Sequence, residues 1–233
     1  MRSQPLRHSP DDPTSAPTVL AVEGLCFAGK TTLAHALAAR LGAVAVPEYT
    51  DLAALPPWPP RSRAEVTAAL RHFLRLEQQR ATLARRTPAR LVVLDRSPLT
   101  LITHEFGMDR LGVPAAPGLA AHMFSEAAER GLILTPDAYV YLRVPAPVSA
   151  ARQARRGRLP AHLTDPVTQA GIEAASRTYL NALPPLRRVV LDGTARVAEL
   201  ANMVVQLVLN LPPAGRQSAP TWRVLAPSPA TGT

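Results

Sequence analysis

Nine consecutive residues carry the plainest chemistry in the chain: Gly24, Leu25, Cys26, Phe27, Ala28, Gly29, Lys30, Thr31 and Thr32. The first eight fit the pattern G-x-x-x-x-G-K-[ST]. Glycines at both ends free the backbone to turn and to aim N–H groups inward at phosphate oxygens. A helix starting near Lys30 adds the positive end of its dipole. The Lys30 ammonium would reach the β- and γ-phosphates of a nucleotide, the Thr31 hydroxyl would hold Mg²⁺, and Thr32 would cap the helix or touch the α-phosphate. Lys30 is also the only lysine in a chain whose other 25 basic residues, of 26, are arginine. A lysine stands where a compact ammonium must fit among phosphates. The lone cysteine, Cys26, lies inside this loop and reads as a tolerated loop residue rather than a reactive thiol.

Four further places supply matching groups. Glu48 follows a short apolar run and a proline, so it stands at a strand end as a base for a hydroxyl acceptor or as a contact to a Mg²⁺-bound water. Asp95 closes the run LVVLD, the position from which an acid orients Mg²⁺ beside the first strand, and Arg96 follows as a clamp for a transferred or acceptor phosphate. Arg152, Arg155, Arg156 and Arg158 crowd into seven residues with Gly157 between them, the composition of a cationic lid that closes on ATP. Gly193 and Thr194 make a turn on which an adenine would rest. Gln78 and Gln79 read as exposed helix residues, and His104 with Glu105 as structural neighbours of an acceptor pocket.

The elements that must hold these groups follow from hydrophobic patterning. Apolar runs at 18–22, 43–46, 91–94, 138–144 and 188–192 read as buried strands. Between them lie helical patterns: 33, 37 and 41 on one face, then a long helix over 63–86 with Val66, Leu70, Phe73, Leu74 and Leu76 on its stripe. Two helices follow over 97–131, broken at Gly107 and at the GVPAAPG turn, then one over 166–183 capped by Asp165 and a closing one over 197–211. Alternating strands and helices with short connections predict a doubly wound parallel five-stranded α/β sheet with helices on both faces and right-handed crossovers. Every candidate ligand group then falls at the carboxyl edge of the strands. The proline-bearing residues 1–17 and the Pro-, Ala- and Ser-rich residues 212–233 read as disordered tails around one domain at 18–211, with a lid at about 152–165.

At 47% hydrophobic residues a core is well supplied, but only 4% are aromatic, so Leu, Val and Ala must fill it. A formal charge of +9 suits anionic small substrates. Nucleic acid is not expected as a partner, because the arginines are dispersed and stacking residues are few. One cysteine excludes an intrachain disulfide and a multi-cysteine metal site. No apolar run reaches membrane-spanning length and the N-terminus lacks a signal-peptide centre, so a cytoplasmic protein away from membranes is expected.

Residues 18–211 resemble the thymidylate kinase and deoxynucleoside kinase group of phosphate-loop kinases. GLCFAGKT is similar to the group's ATP loop, VPEY to the segment that carries the catalytic glutamate of deoxynucleoside kinases, and LDRS to the Asp-Arg and Glu-Arg-Ser motifs of the two branches. RQARRGR resembles the arginine-bearing lid, and LDGT the adenine-side turn. Ser97 stands where thymidylate kinases usually carry an aromatic residue, and Asp95 where deoxynucleoside kinases usually have Glu. The resemblance implies a P-loop NTPase fold, ATP and Mg²⁺ as cofactors, a homodimer paired through helices, and transfer of the γ-phosphate to a nucleoside or nucleoside monophosphate. Two alternatives stay open: a kinase of a specialised-metabolite hydroxyl, and a nucleotide-binding regulatory protein.

Overall fold

The five apolar runs form β1 (Thr18–Gly24), β2 (Val44–Val46), β3 (Leu91–Asp95), β4 (Ala138–Arg143) and β5 (Arg188–Asp192) in a computed structural model that describes residues 17–87, 89–157, 159–211 and 222–226. All pairings are parallel, in the order β2-β3-β1-β4-β5. Chain order reverses between β3 and β1, so the crevice at a topological switch point opens beyond Asp95 and Gly24. Register places Val22 opposite Asp95 and Gly24 opposite Leu142.

Because side chains alternate across a strand, each central strand feeds two cores. Leu20, Val22, Val93, Val140 and Leu142 join Leu33 and Leu37 of α1 (Lys30–Leu41) and Leu200 and Val204 of α7 (Val197–Leu209) on one face. On the other face Val19, Ala21, Val92, Leu94, Tyr139 and Tyr141 meet α2 (Arg63–Arg86), α3 (Pro98–Leu111), α4 (Pro117–Glu129) and α6 (Pro166–Ala182). The remaining helix, α5 (Ala146–Arg156), lies over the carboxyl edge and buries no residue fully. Helix starts follow local chemistry. Ser62 accepts from the Glu65 N–H at 3.2 Å while the Glu65 carboxylate accepts from the Arg61 N–H at 2.7 Å. Asp165 caps α6 through the Val167 and Thr168 N–H groups.

Two expectations are corrected. Gly107 does not break a helix; it sits inside α3, which ends at Gly112. Its role is close approach: a Cβ there would lie 2.8 Å from the Thr168 carbonyl oxygen, and one on Gly171 would lie 2.8 Å from the Gly107 Cα, so α3 and α6 touch backbone to backbone. The expectation of a wholly disordered 212–233 tail also fails in part. The short 3-10 turn Trp222–Leu225 packs against α4 and α6. Trp222 is fully buried, its indole N–H donating to the Tyr139 hydroxyl at 3.3 Å, and Arg223 forks onto the Glu129 carboxylate with both contacts at 2.9 Å. An indole and a leucine in an otherwise polar stretch supply the burial that holds it. Residues 1–16 of the expected arm at 1–17, and the other tail residues, lie outside the described residues. Among the described residues, no helix is long and apolar enough to cross a membrane.

Candidate active site

The phosphate-binding loop joins β1 to α1, and close packing demands its first glycine. Gly24 has φ +140°, and a Cβ there would sit 2.4 Å from the Leu142 carbonyl oxygen of β4. The first N–H groups of α1, at Lys30 and Thr31, have no preceding helical turn to bond, and no side chain caps them. Lys30 is buried, and its ammonium donates to the Leu25 carbonyl at 2.6 Å, folded back across its own loop. Burial, and then the neighbouring Arg96 charge, pull its pKa down to about 8, while Asp95 and Glu23 draw it partway back. Thr31 is half-buried and Thr32 exposed.

Asp95 ends β3 and is buried, yet neither carboxylate oxygen meets a hydrogen-bond partner among the described residues. Two unpartnered acceptor atoms on one buried acid are costly unless a cation or ordered water satisfies them. This residue and the Thr31 hydroxyl therefore fit Mg²⁺, a hard cation that takes few protein ligands beside nucleotide phosphates.

Arg96 follows in the left-handed region, at φ +68°. That turn swings its guanidinium to Glu48, just beyond β2, with Nε donating to Oε2 at 2.6 Å. Thr50 donates to the other oxygen, Oε1, at 2.8 Å, and Arg96 Nη2 lies 3.9 Å from the Cys26 sulfur. The pair thus abuts the phosphate loop. Burial alone would raise the Glu48 pKa, but the Arg96 charge and hydrogen bonds from Arg96 and Thr50 outweigh it and hold it below the usual carboxylate range. Burial likewise works against the Arg96 charge, yet the negative groups around it leave its pKa raised.

On the opposite side of the loop, Arg152 bridges two sequence-predicted pieces. It donates to the Phe27 and Ala28 carbonyls, both at 3.1 Å, and to the Gly193 carbonyl at 2.8 Å. Thr194 is tied to the Asp192 carboxylate through N–H and hydroxyl. The lid residues diverge: Arg155 and Arg156 are exposed at the end of α5, away from the bonds that Arg152 makes, and Arg158 lies outside the described residues.

Sequence reasoning missed a layer beneath these groups. Glu23, at the end of β1, is buried and accepts from the Ser97 N–H at 2.8 Å, the Ser97 hydroxyl at 2.6 Å and the Thr100 hydroxyl at 2.5 Å. Burial raises its pKa despite those bonds and the Arg96 and Lys30 charges. Glu77 and Arg80 of α2 are fully buried and paired. Their positions continue the stripe of Val66, Leu70 and Phe73 at helical spacing, and that was the available signal. Beyond them, Trp58 stacks on His162 with ring centres 3.5 Å apart, and His104 of α3 meets both rings edge-on. Burial first, and then His104, lower the His162 pKa to about 4. Glu105 is structural, accepting from the Ala116 N–H at 2.8 Å.

The parallel sheet, the loop and the strand-end acids together define the fold of the phosphate-loop nucleoside and nucleotide kinases. Residues 26–176, more than half of the chain, match the family model described as AAA domain, and the chain belongs to that family. Among solved structures it is similar to deoxyadenosine kinase from M. mycoides with dCMP and a flexible dCDP bound, with TM-score 0.62 at 16% identity over 82% of this chain and 98% of that one. The same kinase with dCTP bound gives 0.61 at 16% identity over the same shares. Thymidylate kinase from Candida albicans gives 0.58 at 13% identity, covering 82% of this chain and 91% of that one. No curated protein matches the chain.

Proposed function

We propose that this chain transfers the γ-phosphoryl group of Mg-ATP to a hydroxyl of a small nucleoside-like acceptor. The observation that carries this reading is the Glu48–Arg96 pair at 2.6 Å, standing at the carboxyl edge of the sheet beside the phosphate loop. A carboxylate at the acceptor position takes a proton from a hydroxyl and repels a phosphate. A nucleoside monophosphate acceptor would favour cationic groups there instead.

The loop N–H groups and Lys30 bind the β- and γ-phosphates, and Arg152 holds the loop against the Gly193–Thr194 turn on which the adenine rests. Thr31 and Asp95 are the residues that would hold Mg²⁺, which when bound would neutralise phosphate charge. Arg96 balances the charge that grows on the transferred group, and Arg155 and Arg156 bring further positive charge as the lid closes. The acceptor oxygen forms its bond to the γ-phosphorus as the bond to the β–γ bridging oxygen breaks, and ADP leaves. The hydroxyl proton passes to Glu48. An acid with a lowered pKa suffices, because a loose transition state releases that proton late and catalysis rests mainly on positioning.

An ATP-consumption assay with Mg²⁺ across nucleosides, deoxynucleosides and their monophosphates, with products weighed by mass, tests this. A phosphorylated nucleoside is expected. A nucleoside diphosphate as the product would overturn the hydroxyl assignment and turn Arg96 into an acceptor clamp. ATP binding with no transfer would favour a metabolite kinase or a regulatory protein.

A further inference from the structure

Arg80 is an arginine with no exposure to solvent, fifteen residues before Asp95 in the sequence. Its guanidinium is committed to backbone. Nη2 donates to the Asp95 carbonyl at 2.9 Å and to the Arg96 carbonyl at 2.7 Å. These two carbonyls flank the residue whose backbone is left-handed. Nη1 donates to Glu77 Oε1 at 2.5 Å, and the same oxygen accepts from the Tyr49 hydroxyl at 2.5 Å. Tyr49 directly follows Glu48, and its ring also lies under the Arg80 guanidinium, 4.8 Å from centroid to carbon. A continuous buried chain therefore runs from the residue after the acceptor-side acid to the corner that carries its arginine partner.

Stability alone does not account for such a device. An apolar pair of similar volume often folds at least as well as a buried ion pair, and here Glu77 Oε2 and Arg80 Nε have no partners among the described residues. What an apolar pair cannot do is hold two carbonyls at a fixed distance from a tyrosine hydroxyl. We propose that Arg80, oriented by Glu77 and Tyr49, is a positioning residue: it fixes the left-handed corner at Arg96 so that the Arg96 guanidinium meets Glu48 in the geometry that phosphoryl transfer uses. Its role in catalysis rests on the kinase reading above; its role in geometry does not.

The test separates the two. In the full ¹⁵N-labelled chain without nucleotide, relaxation of the arginine Nε–H groups is measured, the Arg96 signal being assigned by its loss in Arg96→Lys. Arg96 is expected to be rigid, with an order parameter near ~0.85, and to fall below ~0.6 in Tyr49→Phe, which keeps the ring and removes only the hydroxyl. The Nε–H of Arg223, bonded to Glu129 far from this chain of contacts, should not change. Arg80→Lys, which keeps the charge but cannot span both carbonyls and Glu77, should mobilise Arg96 as well. If either variant fails to fold, Glu77→Gln, which removes charge and keeps shape, takes its place with the same expectation. In the acceptor assay Tyr49→Phe should lower kcat about tenfold and leave the KM for ATP unchanged. An Arg96 signal that stays rigid in every folded variant, with only the melting temperature reduced, overturns the proposal. A mobile Arg96 in a chain that phosphorylates no acceptor would uphold the positioning and sink the kinase reading.

Discussion

Under the proposed function, the donor and acceptor sides of this crevice are built on different principles. On the donor side most of the working groups come from one short stretch, Gly24 to Thr32, and many of these are backbone N–H groups whose direction the loop itself dictates. On the acceptor side the working pair, Glu48 and Arg96, comes from two different strand ends, and its geometry depends on Glu23, Tyr49, Glu77 and Arg80 underneath. Chemistry carried by backbone is robust to its surroundings, whereas chemistry carried by long side chains needs a second layer of buried polar groups to hold it.

Substitutions should therefore separate the two sides. The largest effect is expected for Lys30→Met, which removes the one compact cation from the phosphates. Transfer should fall about 10³-fold with the fold intact by circular dichroism, while binding of the acceptor alone, measured by calorimetry, persists. Next is Glu48→Gln, expected to lower kcat on the order of 10²-fold with the dissociation constant of ATP unchanged. Wild-type turnover in that variant would remove Glu48 as the proton acceptor. Arg152→Ala should act on the donor side only, weakening ATP about tenfold in equilibrium titration with little change in kcat, since it frees the loop from the Gly193 turn.

The smallest effect, and the most diagnostic, is in pH. Lys30 in the folded protein titrates near 8 against 10.5 ordinarily. As pH rises through 8 the free protein loses this ammonium, so ATP affinity should decline. The unfolded chain keeps its proton up to about 10.5, so between those values the unfolded state binds more protons and this group's share of folding stability rises with pH. Affinity and stability should thus move in opposite directions above pH 8, and Lys30→Met should flatten both trends in parallel ATP titrations and urea melts. For His162 the window is acidic: from about 6.5 down to about 4 the unfolded chain takes up a proton that the folded one refuses, and stability falls as pH drops.

How much of this could be read beforehand follows the same division. The loop, the five strands and the strand-end positions of Glu48, Asp95 and Arg96 are local patterns, and the sequence displays them directly. Glu77 and Arg80 look like an ordinary exposed pair at i and i+3, and only their phase with Val66, Leu70 and Phe73 betrays burial. Glu23 is masked by the motif it precedes. Gly107 reads as a helix breaker because its meaning lies in Gly171, more than sixty positions away, about as non-local as a helix-to-helix contact gets in a domain of this size. Trp222 and Leu225 are overlooked because composition, averaged over a Pro-rich stretch, hides a two-residue anchor.

The two tryptophans also make the molecule its own optical gauge. Trp222 lies sealed in the core under the Tyr139 hydroxyl, and Trp58 lies half-buried, flat on the His162 imidazole. Replacing either with phenylalanine leaves a single emitter. The variant that keeps Trp222 reports on the integrity of the whole domain, and the one that keeps Trp58 reports on the stack with His162, so core melting and local opening are visible as two separate colours of the same unlabelled chain.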